Sequence, residues 1–174
     1  MKSKTLILLI IILSGAVVVF YTIRHQQSPN AISVGLPVPD IELTDSNKNE
    51  LKLSELRGSV VFVNFWATWC PPCIEEIPSI ERLSRYLAGN SKFKMVTIPY
   101  NDDMNKVLGY MKEMDCTFPV YLDSGGNAAK KFGITGVPET YIIDKKGILR
   151  NKVIGPSEWD SPYVIETLSK LINE

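Results

Sequence analysis

The run Trp69-Cys70-Pro71-Pro72-Cys73 constrains this chain more than any other feature. It comes just after the apolar run 60–66, and it opens a segment in which apolar residues recur at helical spacing. A strand that leads into a helix whose first turn carries Cys-X-X-Cys is an arrangement suited to thiol–disulfide exchange. We therefore predict an α/β fold in which Cys70 and Cys73 form a redox-active disulfide.

The positions of the two thiols explain how such a pair would react. Cys70 would lie at the helix N-terminus, where free backbone N–H groups and the helix dipole favour the nucleophilic thiolate. Cys73 would lie one turn further along, close enough to attack a mixed disulfide at Cys70 and release the reduced substrate. Pro71 and Pro72 suit the first turn, since their φ angles are preset and the N–H groups they lack would be unpaired there.

Other uses of a Cys-X-X-Cys pair are less consistent with the composition. A zinc site takes about four Cys or His ligands, whereas this chain has three Cys and a single, distant His25. A c-type haem site needs His directly after the second Cys, and Ile74 occupies that position. A structural disulfide remains the alternative, although a bridge that closes so short a loop restrains the unfolded chain little. We expect no metal and no cofactor.

The N-terminal segment has the character of a membrane anchor. Residues 6–23 include no charged side chain and are dominated by Leu, Ile and Val. Such a helix spans about 27 Å, close to the hydrocarbon thickness of a bilayer. A cleaved signal peptide is the alternative, but its apolar core is usually about 7–15 residues. We predict a cytoplasmic N-terminus over 1–5, a transmembrane anchor over 6–23, a linker over 24–34 and a catalytic domain over 35–174.

The charge distribution suggests an orientation for this anchor. Lys2 and Lys4 precede the apolar span and Arg24 follows it, and residues 1–30 contain no acid. The positive-inside rule then favours a catalytic domain on the extracytoplasmic face. Removing these three of the 19 bases leaves 16 against 19 acids, a net charge of −3 for the remainder. No basic patch suggests that the protein binds nucleic acid.

Alternating periodicities predict a mixed-sheet α/β domain with a hairpin in front of it. The hairpin is expected from strands over 40–43 and 51–53. The remaining predicted strands are 60–66, 93–99, 118–122, 139–143 and 149–154. The predicted helices are the active-site helix after Cys70, which Pro78 should kink, and the segments 105–114, 128–132 and one that begins at Pro162.

Two segments carry a resemblance to a known family. The run 65–73, followed by Pro78, resembles the active-site motif of the thioredoxin superfamily, and Gly136-Val137-Pro138-Glu139-Thr140 resembles the cis-proline loop of that family. With its anchor and leading hairpin, the chain is similar to the tethered TlpA/ResA/CcmG-like reductases of bacterial cytochrome c maturation. The resemblance implies a thioredoxin-like fold, with a mixed β-sheet flanked by helices, an N-terminal β-hairpin extension and an N-terminal transmembrane helix.

The same resemblance implies an activity and partners. It implies a single-pass membrane enzyme, a protein-disulfide reductase on the extracytoplasmic face of the cell membrane. Its substrate would be a protein disulfide, that of apocytochrome c, and its electrons would come from a membrane thiol carrier of the CcdA/DsbD type. We expect it to act as a monomer. The alternatives are a general envelope oxidase or isomerase, a thiol peroxidase and a non-catalytic holdase.

Two residues near the thiols bear on proton transfer. Asn64 stands where thioredoxins carry a buried Asp, and since an amide cannot titrate, we expect it only to hydrogen-bond within the sheet. Glu76 lies three residues after Cys73, so on a helix the two side chains share a face. An acid close to a buried thiol could take its proton, and a raised pKa would suit that role. The alternative is a solvated surface acid, the usual state of Glu.

The remaining candidates belong to the substrate side of the site. By resemblance, the Val137–Pro138 peptide bond is cis and places the Val137 backbone beside Cys70, where an extended peptide could pair with it. Glu139 would add negative charge near the thiols, and Trp69 would offer an apolar shelf. The third cysteine, Cys116, is expected to be a buried apolar filler.

Overall fold

The computed structural model describes residues 13–15, 17, 20 and 32–174. Residues 13–15, 17 and 20 are helical. Within the described residues, no helix combines the length and apolar composition needed to cross a membrane. Residues 1–5, most of the predicted anchor over 6–23 and most of the predicted linker over 24–34 lie outside the described residues. The folded unit extends from Ile32 to Glu174.

Seven strands, four α-helices and one 3₁₀ turn, Leu53–Leu56, make up residues 32–174. The strands are β1 (Glu42–Asp45), β2 (Glu50–Lys52), β3 (Val60–Trp66), β4 (Phe93–Pro99), β5 (Tyr121–Leu122), β6 (Glu139–Ile143) and β7 (Leu149–Ile154). The helices are α1 (Pro71–Tyr86), α2 (Met104–Glu113), α3 (Asn127–Phe132) and α4 (Pro162–Asn173).

The central sheet has the strand order β4-β3-β6-β7. Strands β3 and β4 are parallel, while β6 pairs antiparallel with both β3 and β7. A second sheet has the order β2-β1-β5, so the predicted N-terminal hairpin is present and also pairs with β5. This is the thioredoxin-like α/β arrangement that the sequence predicts, a mixed sheet flanked by helices.

The central sheet separates two apolar clusters. Because successive side chains of a strand point to opposite faces, Phe62 and Trp66 of β3 pack with α1, α2 and α4, whereas Val63 and Phe65 pack with the hairpin and α3. Every residue of β3 is buried, since both faces of the strand are covered. The strand ends at Trp66, four residues before Cys70, so the Cys-X-X-Cys motif lies just beyond the C-terminal edge of the sheet.

Most predicted elements are present, and several bounds shift by one or two residues; the first hairpin strand, expected over 40–43, is Glu42–Asp45. The strand expected over 118–122 is reduced to Tyr121–Leu122, because Pro119 cannot donate a hydrogen bond to a neighbouring strand. Helix α1 continues from Pro71 to Tyr86 with Pro78 inside it, and the kink expected at Pro78 stays a prediction.

Candidate active site

Cys70 and Cys73 form a disulfide at the start of α1. Cys70 is the N-cap residue of the helix, and its Sγ accepts a hydrogen bond from the backbone N–H of Cys73 at 3.2 Å. Pro71 and Pro72 occupy the first two helical positions, as the sequence predicts. Both sulfur-bearing residues are buried, with 4% and 0% of their surface exposed. A thiolate at Cys70 would therefore be stabilised by a backbone donor and by the helix dipole.

The residues before Cys70 are anchored to the loop that follows β4. The backbone N–H and hydroxyl of Thr68 both donate to Asp102, at 2.6 and 2.8 Å. The indole N–H of Trp69 donates to the carbonyl oxygen of Asn101 at 3.1 Å. The ring of Trp69 is nevertheless 56% exposed. The loop thus fixes the backbone that leads to Cys70 while leaving an apolar surface beside it.

The loop before β6 lies on the other side of Cys70. The Val137–Pro138 peptide bond is cis, as predicted. The carbonyl oxygen of Val137 lies 3.4 Å from the Sγ of Cys70. Thr135 and Gly136, which precede it, are exposed. An extended peptide that reached Cys70 would therefore meet the backbone of this loop.

Glu76 is buried, with only 2% of its surface exposed, and is thus not the solvated acid that the sequence left open. It lies three residues after Cys73 on α1, so the two side chains share the face of the helix that packs on the sheet. Glu75, one residue earlier, is exposed. The structure therefore places a carboxyl group in the same buried layer as the inner sulfur.

Three N–H donors hold the Glu76 carboxylate. The Nδ2 of Asn64 donates to Oε1 at 2.9 Å, and the indole Nε1 of Trp159 and the backbone N–H of Ser157 donate to Oε2 at 2.8 and 3.2 Å. Burial raises the pKa of the Glu76 carboxyl above its usual range, and these hydrogen bonds offset the effect only in part. None of the three neighbours carries a charge.

Asn64 connects Glu76 to the sheet. Its Nδ2 also donates to the hydroxyl oxygen of Thr140 at 2.8 Å, which confirms that Asn64 hydrogen-bonds within the sheet. Its Oδ1 has no hydrogen-bond partner in the described part of the chain. Asn64 therefore supports the Glu76 carboxyl with a donor and leaves an acceptor unused.

A second buried glutamate on α1, Glu81, has a lowered pKa where Glu76 has a raised one. Burial alone would raise the pKa of Glu81, but hydrogen bonds from Thr117, Arg85 and Phe118 outweigh that effect and hold the pKa below its usual range. Its oxygens accept from the Thr117 backbone N–H and hydroxyl, both at 2.7 Å, and from the Phe118 N–H at 3.1 Å. Arg85 supplies the positive charge that Glu76 lacks.

Glu139 does not share a face with Glu76. It pairs in register with Phe65 and, like Phe65, faces the cluster formed with the hairpin and α3, whereas α1 packs on the other face. Its carboxylate lies 3.1 Å from the Nζ of Lys152 and accepts a hydrogen bond from the hydroxyl of Tyr141 at 2.6 Å. The charge of Glu139 is thus matched locally by Lys152 rather than directed at the thiols.

The remaining cysteine also differs from the prediction. Cys116 is only partly buried, against the predicted buried filler, because it lies in the short segment between α2 and β5. It is the free cysteine among the described residues and packs at the edge of the cluster on the α1 face.

Two residues of the site were missed from the sequence. Trp159 stands alone among polar residues in the segment 155–161, and an isolated tryptophan in such a segment was a usable signal. The burial of β7 does not single out Lys152, and only the strand register, which pairs it with Tyr141, places it on the same face as Glu139. The contact of Trp159 with Glu76 joins residues 83 positions apart, whereas Lys152 and Glu139 lie on neighbouring strands of one hairpin.

Comparisons with known proteins agree with this geometry. The redoxin family model matches residues 33–168. The chain is 30% identical to the thiol:disulfide interchange protein DsbE of Haemophilus influenzae over 164 residues, which cover 89% of this chain and 88% of that protein. It is 29% identical to the thiol-disulfide oxidoreductase ResA of Bacillus cereus over 150 residues, 86% of each chain.

A solved structure shows the same fold. The thiol:disulfide interchange protein of the thioredoxin family from Chlorobium tepidum superposes with a TM-score of 0.67 at 26% identity, covering 82% of this chain and 99% of that one. The matched length is about that of the described domain. The chain belongs to the redoxin family of thioredoxin-fold proteins and is a thiol–disulfide oxidoreductase.

Proposed function

We propose that this protein is a membrane-anchored reductase that acts on protein disulfides on the extracytoplasmic side of the membrane, with apocytochrome c as its substrate. The observation that carries the proposal is the 3.4 Å approach of the Val137 carbonyl oxygen to Cys70 Sγ, beside an exposed Trp69. This arrangement suits a peptide laid across the thiol better than a small oxidant.

The reaction begins from the reduced pair. The Cys70 thiolate attacks one sulfur of the substrate disulfide, which forms a mixed disulfide and releases the first substrate thiolate. Cys73 then loses its proton and attacks the Sγ of Cys70. The second substrate thiolate leaves, the Cys70–Cys73 disulfide forms, and two electrons have passed to the substrate.

Glu76 is the proposed acceptor of the Cys73 proton. It is buried on the same helix face as Cys73, and the sheet offers no other titratable group at this point, because Asn64 and Thr140 carry only an amide and a hydroxyl. A carboxyl whose pKa is raised by burial is a better proton acceptor for a thiol than an ordinary surface carboxylate. When a donor later reduces the disulfide, the same group returns the proton.

The family resemblance and the N-terminal sequence support a proposal for the electron source and the location. The relatives are named as the thiol:disulfide interchange protein DsbE and the thiol-disulfide oxidoreductase ResA. The charge-free span 6–23 has the length of a single membrane crossing. A membrane thiol carrier of the CcdA/DsbD type would regenerate the reduced pair. We propose that the catalytic domain acts as a monomer on the outer face.

Trapping of mixed disulfides tests the proposal. In cells that make the full chain, Cys73→Ser leaves Cys70 without its resolving partner, so a mixed disulfide should accumulate. Cytochrome c precursors and a membrane thiol carrier are the expected adducts. Cys70→Ser, which lacks the attacking thiol, is the matched control and should trap neither. Capture of periplasmic or surface proteins without cytochrome c precursors would contradict the proposed substrate.

The reduction potential tests the direction. A value near that of thioredoxin, about −270 mV, would support a reductase, whereas one near that of DsbA, about −120 mV, would identify an oxidase. The measurement uses equilibration with glutathione or dithiothreitol buffers and quantifies the free thiols of Cys70 and Cys73. Cys116→Ser serves as the background, because it removes the free thiol outside the site.

A further inference from the structure

Residues 157–160, here called the strap, run alongside α1 and contact it at three positions one turn apart. Glu76 accepts from the N–H of Ser157 and from Trp159. The hydroxyl of Ser79 accepts from the backbone N–H of Trp159 at 3.0 Å. Arg82 is hydrogen-bonded to both Glu158 and Asp160. The strap is thus bound to the helix that carries both cysteines.

Trp159 is the residue of the strap that reaches furthest into the site. Its side chain is 2% exposed, and its ring packs edge-on against Phe62 of β3, with centroids 5.0 Å apart and an interplanar angle of 86°. Its backbone is held by Ser79. The indole is therefore fixed at both ends, and its N–H is directed at Oε2 of Glu76 at 2.8 Å.

The surroundings of Glu76 make this one donor important. The elements packed against it contribute neutral groups: Asn64 from β3, Thr140 behind it on β6, and Ser157 and Trp159 from the strap. The titratable neighbour on its own helix face is Cys73, and the charged side chains of the strap pair with Arg82 at the surface. Without the indole, Oε2 keeps only the longer 3.2 Å bond from Ser157.

We propose that Trp159 is a positioning residue for the reaction: its indole N–H fixes the orientation of the Glu76 carboxyl and stabilises its charged form, the form that accepts a proton from Cys73. The proposal rests on the role given to Glu76 above. Since a hydrogen bond to a carboxylate favours the charged form, loss of the indole donor should make Glu76 hold its proton to higher pH and should slow resolution at neutral pH.

The matched pair Trp159→Phe and Trp66→Phe tests this. Both tryptophans are buried, but the Nε1 of Trp66 has no hydrogen-bond partner in the part of the chain that the structure describes. The assay is single-turnover reduction of a peptide disulfide by the reduced protein, followed from pH 5 to 9 by acid quench and mass spectrometry. For Trp159→Phe, the acidic limb should move up by about one pH unit, the size expected for one hydrogen bond to a charged group. Trp66→Phe should keep the wild-type profile.

The same assay on Glu76→Gln, with and without Trp159→Phe, distinguishes an error in this inference from an error in the proposed role of Glu76. If Glu76→Gln alone leaves the profile unchanged, the proposed role of Glu76 is wrong. If it alters the profile but Trp159→Phe does not, Trp159 is not a positioning residue. An equal effect of Trp159→Phe with and without Glu76 would also overturn the inference.

A second replacement guards against a folding defect. Replacement of Trp159 by 3-benzothienylalanine, which substitutes sulfur for the indole N–H at nearly the same shape, retains the packing on Phe62. It should reproduce the shift of the acidic limb. The infrared band of a protonated Glu76 carboxyl should persist to higher pH in this protein. A wild-type band and profile would refute the role of the indole N–H.

Discussion

Glu81→Ala is expected to destabilise the domain without altering the chemistry of the disulfide. Glu81 is 7% exposed and accepts hydrogen bonds from the Thr117 N–H, the Thr117 hydroxyl and the Phe118 N–H. These bonds connect the middle of α1 to the segment that leads into β5. Alanine would leave two backbone donors without their acceptor.

The magnitude follows from the burial of those donors. Loss of the buried hydrogen bond from the Phe118 N–H should lower the free energy of unfolding by about 2 kcal/mol. Thr117 is exposed, so water can replace part of its hydrogen bonding, and the loss there should be about 1 kcal/mol. The exposed Arg85 is screened by solvent and adds little. The total of about 3 kcal/mol corresponds to a fall in Tm of roughly 10 °C for a domain of this size.

Urea unfolding of the oxidised protein, followed by circular dichroism, measures this difference. Glu81→Gln keeps one acceptor oxygen and should lose about half as much. Glu75→Ala, at an exposed position on the same helix, is the matched control and should stay within about 0.5 kcal/mol of wild type. A loss below about 1 kcal/mol for Glu81→Ala would refute the reasoning.

The pH dependence provides a second test of the same side chain. Because the folded-state pKa of Glu81 is lowered, its contribution is present above the unfolded pKa of about 4.3 and is lost as the pH falls through the folded value. The stability difference between wild type and Glu81→Ala should therefore be constant near neutrality and shrink in acid. A difference that grew on acidification would contradict the assigned charge state.

Three further predictions concern the site and its surroundings. Because burial raises the folded-state pKa of Glu76, the stability of wild type relative to Glu76→Gln should fall as the pH rises from about 4.3 through the folded value. Urea titrations of both proteins at pH 4–8 measure this difference, and a constant difference would contradict the raised pKa. Lys152→Met should cost about 3 kcal/mol in the same assay, since it leaves Glu139 buried without its cation, while Lys94→Met at an exposed position should cost little. Trp69→Ala should leave Tm nearly unchanged because the ring is 56% exposed, yet raise the KM for a peptide disulfide; an unchanged KM would remove Trp69 from the substrate surface.

The sequence predicts the parts of this site whose residues lie close together in the chain. The strand 60–66, the helix after Cys70 and the shared face of Cys73 and Glu76 all follow from local periodicity, and the structure has each of them. The resemblance predicted the cis bond before Pro138. These features depend on residues only a few positions apart.

The two features that the sequence did not reveal have different causes, one local and one long-range. Proximity to Pro138 suggested that Glu139 faces the thiols, but the alternation of a strand places it opposite Thr140, which is the residue on the Asn64 face. Trp159 reaches Glu76 only because the strap returns to α1 after β7. No local pattern fixes this second contact.

The hydrogen bond between Glu76 and Trp159 joins residues 83 positions apart in the chain. During synthesis, the cysteines and Glu76 therefore leave the ribosome long before the tryptophan that completes the acid's surroundings. A partial chain could already hold its disulfide at the start of α1 while Glu76 lacked two of its three donors, both of which come from the strap. The Glu76 carboxyl can therefore acquire its full set of donors only after residue 159 has been made, when most of the domain already exists.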